Sequence, residues 1–283
     1  MQKRLMSLSL AVIVLCLNMV SLAQGPSEIY PFSMKYNPEL NLLRVFETPA
    51  GYERFPEQKM THFQAWLTNL PLLPPAMPVA LWNGEKVQSY DSIGGVIDLG
   101  VGTEQQQDPD IPIQLIMEYL RVAGALNDYP FVVTPTDTMT FGKWLDGTYT
   151  FDSRMKLIHT PGPKRVADAN EYYRFMSMVM HFITGRTLLL NLSPIDEKDI
   201  DPGTLYVQFK NDQDSVGHTA VILDVCANAK GEQLLLVGWG GHPAQSFAVA
   251  RPFPITDRAW FTVPELKDRL KDYGAGQFYR FKR

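Results

Sequence analysis

The chain has 283 residues, 45% hydrophobic and 20% charged, with 26 Lys and Arg against 30 Asp and Glu. That composition supplies a real core, and its net charge of −4 gives no clustered cation field for neutralising nucleic-acid phosphates. Of Cys16 and Cys226 only the second survives removal of the leader read below, which excludes an intramolecular disulfide and leaves stability to burial.

Lys3 and Arg4 precede an apolar run from Leu5 to Leu15, and Ser21-Leu22-Ala23 follows with small residues. This order predicts a secretory signal peptide over 1–23, cut near Ala23, and export to periplasm or medium. A retained anchor is the alternative, although the apolar stretch is short for a span. Lipidation at Cys16 is disfavoured by the bulky Leu15 before it. Residues 24–60 carry many prolines and read as an extended leader ending in the turn of "GYERFPEQ".

From 61 to 283 the pattern is one α+β unit. Phe63, Trp66, Leu67 and Leu70 have helical spacing, with Thr61 as a cap and Pro71, Pro74, Pro75 and Pro78 stopping the helix. "VALW" and "GGVIDLGV" look like strands. In "DPDIPIQLIMEYLRVAGA", Ile113, Ile116, Leu120 and Ala123 form a stripe behind an Asp108-Pro109 start. In "DANEYYRFMSMVMHFITG", Asp168 and Glu171 have capping-box spacing, Tyr172, Phe175, Met176, Val179 and Ile183 share a face, and Gly185 can end the helix. The acidic "SPIDEKDIDPG" is a connection without calcium-loop spacing. Then "TLYVQF", "HTAVILDV", "QLLLVGW" and "SFAVARP" form an antiparallel meander. A short surface helix, "VPELKDRLKDYG", and a last strand, "QFYRF", follow.

Chemistry-bearing residues are few. His181 lies opposite its helix's apolar stripe, His62 and His159 sit near turns without ligand partners, and His242 belongs to a glycine-rich turn lacking a phosphate cradle's setting. No two histidines have zinc spacing. His218 differs, because it opens a core strand directly after a glycine. Cys226 lies an even number of residues away and so on the same side. Eight residues of strand nevertheless separate them by about 26 Å, far beyond the roughly 3 Å a thiolate and its base require.

The stretches "GYERFP", "WLTNLPL", "VALWNG", "GGVIDLGVG", "EYLRVAG", "GKWLDG", "GTLYVQF", "GHTAVILDV", "LLLVGWGGHPAQ" and "FYRFK" occur in this order from about Gly51 onward. In them the chain resembles the secreted bacterial family described as domain of unknown function 4846. That family in turn resembles the papain-like NlpC-type and CHAP-type amidohydrolases, which cut peptide or amide bonds in cell-wall peptides. The resemblance implies a papain-like fold with helices packed on an antiparallel sheet. It also implies a cysteine at a helix start, a histidine on the following sheet, and a third polar residue on the next strand.

A helix N-terminus lowers a thiol pKa, the imidazole takes the proton, and a glutamine or backbone N–H steadies the oxyanion. By this resemblance the histidine is His218, and the glutamine-glutamine-cysteine-alanine-aspartate stretch falls on Gln106, Gln107, Asp108, Pro109 and Asp110. The third position falls on Trp239, whose indole accepts no hydrogen bond. The nucleophile's position thus holds Asp108, which reads either as a base paired with His218 or as an N-cap.

The expectation is therefore an exported, non-catalytic NlpC-like module that grips a cell-wall peptide or glycan. Its site is His218, Asp108 and Gln107, with Trp239 and Asp110 in binding roles. No cofactor, metal or nucleic acid is called for, and membrane contact comes only through an uncleaved signal segment. The alternatives are a hydrolase in which Asp108 and His218 activate water, or in which Ser92 or Thr103 supplies a hydroxyl, and a structural envelope protein without a ligand. Ser92, in "DSIGG", lacks the glycine-x-serine-x-glycine elbow.

Overall fold

The computed structural model describes residues 26–33, 36–75, 77–87, 93–104, 106–158, 160–209, 216–253 and 258–282. The leader read over 1–23, Ser92 and His159 lie outside these residues.

Helices α1 (Pro26–Ile29) and α2 (Leu42–Val45), strand β1 (Tyr52–Arg54), α3 (His62–Thr68) and β2 (Ile93–Val96) come first. Next are α4 (Ile111–Val122), β3 (Phe131–Val132), β4 (Thr138–Met139), α5 (Phe141–Leu145), β5 (Thr150–Phe151), β6 (Leu157–Ile158), α6 (Ala169–Phe182) and α7 (Arg186–Leu190). The sheet-rich part holds β7 (Leu192–Pro194), β8 (Leu205–Phe209), β9 (Val216–Asn228), β10 (Gln233–Trp239), β11 (Ala248–Ala250), β12 (Trp260–Phe261), α8 (Val263–Arg269) and β13 (Ala275–Phe281). The architecture is mixed α+β around a large antiparallel sheet ordered β2-β11-β10-β9-β8-β13-β7, with β1 also pairing β9 and β12 also pairing β10.

The meander read from sequence is β8 to β11, each strand pairing the next. Two expected caps form, that of α6 without the return bond from the Glu171 side chain. Thr61 and Gln64 form a reciprocal capping box on α3, and Asp168 accepts from the Glu171 N–H on α6. Tyr172, Phe175, Met176, Val179 and Ile183 are buried, and His181 is exposed.

Several readings change. The stretch 24–60 is not merely an extended leader, since α1, α2 and β1 form within it and β1 pairs β9 in the main sheet. "VALW" makes isolated bridges from Ala80 and Leu81 rather than a strand, because its partners are a loop residue, Lys86, and Gln245. Gly185, at φ 52°, opens α7 instead of closing α6, which ends at Ile183. Helix α4 is buried almost all round rather than along one stripe, and Ala123 is exposed.

The sheet separates two cores. The larger joins α3, α4, α5 and α6 to Val221, Leu223 and Cys226 of β9. The smaller sets Leu266 of α8 and Leu270 just after it against Ala220, Ile222 and Val225 of β9 and Trp239 of β10. Strand β9 feeds both faces through a bulge. Leu235 pairs Val225 and Leu236 pairs Asp224, but Val237 pairs Ile222, so Leu223 is an extra residue. One extra residue inverts which face each later side chain occupies. His218, in phase with Ala220 and Ile222, and Cys226, in phase with Leu223, therefore point to opposite faces. The same-side expectation counted residues and missed the bulge.

Candidate functional site

Helix α4 is entered through a 3-10 turn, Asp108–Asp110, with Pro109 supplying the fixed φ that such a start favours. Gln107 caps this turn, and its backbone N–H donates to Asp110 Oδ2 at 3.1 Å. The cap expected of Asp108 is therefore made by its neighbours. The Asp108 carboxylate instead points across to β9, where Oδ2 meets Nδ1 of His218. The two residues lie 110 positions apart in sequence, and both are buried, at 4% and 2% exposure. This pairing is the one on which a base reading of Asp108 depends.

Aromatic rings surround the imidazole. Tyr273, just past α8, stacks on it with centroids 4.6 Å apart and planes 23° apart. Trp239, on the strand after β9, meets it edge-on at 5.6 Å, and the Arg269 guanidinium lies 5.9 Å from the Trp239 ring centre. Among the described residues, His218 Nε2 and Asp108 Oδ1 are buried without a hydrogen-bond partner. Such groups are uncommon in protein interiors because each forfeits its hydration. Gly240 explains how the end of β10 comes so near. A Cβ there would stand 3.2 Å from Asp108 Oδ1 and 3.1 Å from Ile111 Cγ1, so any other residue would crowd the carboxylate.

Asp110 is also buried. Burial pushes its carboxyl up to about 7, the bond from Gln107 opposes that, and the neighbouring Asp108 adds to it. The Asp110 oxygen faces backbone rather than His218, so the three titratable residues do not converge. Among the described residues no cluster of three or more His, Cys, Asp and Glu has the geometry to hold a metal ion. Gln106 stiffens the approach to the turn. Its Oε1 accepts from the N–H groups of Gly102 and Thr103, and its Nε2 donates to Gln114 Oε1 at 3.1 Å. Gln107 enters the site through its backbone. Thr103 belongs to the loop that Gln106 ties down.

Cys226 is remote from this site on the opposite face of the sheet, and burial raises its thiol to about 11, which keeps it protonated and inert.

The sequence profile described as domain of unknown function (4846) matches residues 42–281. The chain belongs to this family. No curated protein and no solved structure matches it. The matched span contains every residue of the site, so Asp108, His218 and Trp239 all sit inside the family domain. Tyr273 and Gly240 escaped sequence reasoning. Tyr273 lies in a surface helix by pattern, and its only local signal is the following Gly274, whose φ of 100° lets the chain turn back into β13. No helix among the described residues is long and apolar enough to cross a membrane.

Proposed function

We propose that this protein is an exported, non-catalytic module of papain-like, NlpC-type architecture that binds a peptide or glycan of the cell wall. The order of parts supports the architectural reading. A helix start carries the acid, the following sheet carries the histidine, and the next strand carries the residue at the third position. The observation that carries the functional reading is the Asp108 carboxylate on His218 Nδ1, in the seat where a nucleophilic thiolate would stand. A carboxylate there is a weak nucleophile towards carbonyl carbon. Trp239 offers no acceptor to Nε2, so the nitrogen that the third residue of a papain-like triad would hold has no polar partner there. What remains is a rigid scaffold with its reaction centre packed shut.

One observation favours the hydrolase alternative. Nε2 is unpartnered and Nδ1 is held by a carboxylate, which is the arrangement of a general base awaiting water. Both residues are buried, however, and a reacting bond cannot reach Nε2 unless Tyr273 or Trp239 moves.

The test uses purified protein with cell-wall sacculi. The binding reading expects the protein in the pellet and no soluble products by mass spectrometry after prolonged incubation. Product release that disappears in His218→Ala overturns it in favour of the hydrolase. Failure both to cleave and to co-sediment overturns it in favour of a structural role.

A further inference from the structure

Two clefts meet along the exposed face of α6. One, of about 310 Å³, lies between α6 and the loop ahead of Asp108, with Gln106 and Gln114 at its end and Met176 and Met180 in its wall. The other, of about 700 Å³, runs outward past Trp144, Phe151, Met155 and Met178. Tyr173 and Ser177 line both. Both residues are exposed, so the clefts form one groove that starts beside the Asp108 turn and leads away along the helix.

We infer that this groove binds an extended peptide segment carrying apolar side chains and at least one carboxylate. The inference rests on the binding reading above and names its ligand class and its place. Met155 and Met178 supply flexible, polarisable thioethers, which repack around apolar side chains of different shapes, over a floor formed by the buried Met176 and Met180. Two cations stand against one carboxylate here, because Glu171 pairs with both Arg165 and Arg174. The charged residues lining the two clefts are Arg165 and Arg174, while the chain as a whole is net negative. Arg165 is already engaged, stacked at 4.1 Å over Trp144, paired with Glu171 at 3.7 Å and donating to the carbonyls of Trp144 and Tyr149. Arg174 is 65% exposed in its side chain and, among the described residues, bonded through Nη1 to Glu171, which leaves guanidinium donors for a ligand carboxylate. A glycan strand has no side chains for the thioether walls to enclose, so the groove's chemistry selects a peptide.

The probe is a fluorescein-labelled octapeptide of alternating leucine and glutamate, titrated into the full-length protein by fluorescence anisotropy. A control peptide carries glutamine in place of glutamate. Arg174→Glu and Ser177→Trp alter exposed positions of α6 away from Asp108 and His218, and circular dichroism confirms that both variants fold. The acidic peptide binds, the glutamine version and Arg174→Glu bind roughly tenfold or more weakly, as loss of a charge-assisted hydrogen bond implies, and Ser177→Trp blocks the groove. Equal binding by wild type and both variants, no binding of the acidic peptide, or binding only of peptide-free glycan strands overturns the inference. Sacculus binding that persists in Ser177→Trp overturns the groove while leaving the binding reading intact. Absence of sacculus binding in the wild type sinks that reading, whereas the peptide titration still decides the groove.

Discussion

Strand β9 carries an acid–base pair near each end, one part-buried and one buried, and the two differ in how completely they are satisfied. Near its C-terminal end, Arg54 of β1 pairs with Asp224, donates to the carbonyls of Leu43 and Phe46, and lies over the Trp260 ring at 5.5 Å. The second Asp224 oxygen accepts from the Val225 N–H at 2.8 Å. Near the N-terminal end, Asp108 and His218 share one contact and leave Oδ1 and Nε2 without partners. A buried ion pair offsets its desolvation only when further hydrogen bonds occupy its remaining lone pairs and protons. By that criterion Arg54–Asp224 is a clamp that fastens the segment around α2 and β1 to the sheet. Among the described residues, Asp108–His218 leaves one carboxylate oxygen and one ring nitrogen without a protein partner.

The largest effect should come from breaking the clamp. Asp224→Ala leaves the part-buried Arg54 charge without its counter-ion; removing one partner of a fully buried pair costs about 3–5 kcal/mol, and the 20% exposure of Arg54 sets the expectation at the lower end of that range. Urea denaturation measures this directly; a loss below about 1 kcal/mol would erase the distinction between the two ends. Next in size is the pH response of Asp110, beside the N-terminal pair. Its folded carboxyl is raised from 3.8 to about 7 by burial, with Asp108 adding to the rise. An acid whose folded pKa lies above its unfolded one holds its proton more tightly when folded. Its contribution is fully present below about pH 4, is lost as pH climbs to 7, and stays lost above. Asp110→Asn should therefore flatten a stability decline on the order of 2–4 kcal/mol across that window. An unchanged slope means that Asp110 is hydrated and that the N-terminal pocket is more open than its burial indicates.

Much of the frame could be read from residues, because its signals are local. Period-two runs gave β8 to β11, and Thr61 and Asp168 announced their helices through side-chain-to-backbone bonds that span three residues. The site was half legible. His218 stood out by opening a core strand after Gly217, and the resemblance carried Asp108 and Trp239 to its side. What could not be read was long-range. Asp108 has the chemistry of a cap, and only the distant imidazole decides that its oxygen goes elsewhere. The Leu223 bulge leaves no mark in the apolar pattern, since Val221, Ile222, Leu223 and Val225 are buried on one face or the other. Tyr273 reads as surface from its helix and becomes a wall of the site only because β13 returns to the sheet beside β8.

Smaller effects test whether the N-terminal pair is held for function or for stability. Asp108→Asn preserves shape and one hydrogen bond, so it should cost only about 1 kcal/mol by denaturation, well under the clamp variant. A cost matching Asp224→Ala would make Asp108 structural.

The smallest stability change belongs to Tyr273→Ala. The ring is 44% exposed, and it covers His218 on the side that faces away from Asp108's helix layer. Its removal should cost roughly 1 kcal/mol or less, since little apolar area leaves the core. The informative readout is chemical. Diethyl pyrocarbonate acylates accessible imidazole nitrogen, and mass spectrometry of the peptide containing His218 isolates its signal from the other histidines. Wild-type His218, with Nε2 enclosed, should label slowly, and Tyr273→Ala should label several-fold faster while Asp108 still holds Nδ1. Fast labelling of the wild type would mean that Tyr273 already swings aside in solution. The dormant base would then be within reach of a substrate, and the pair at this end of β9 would belong with working enzymes.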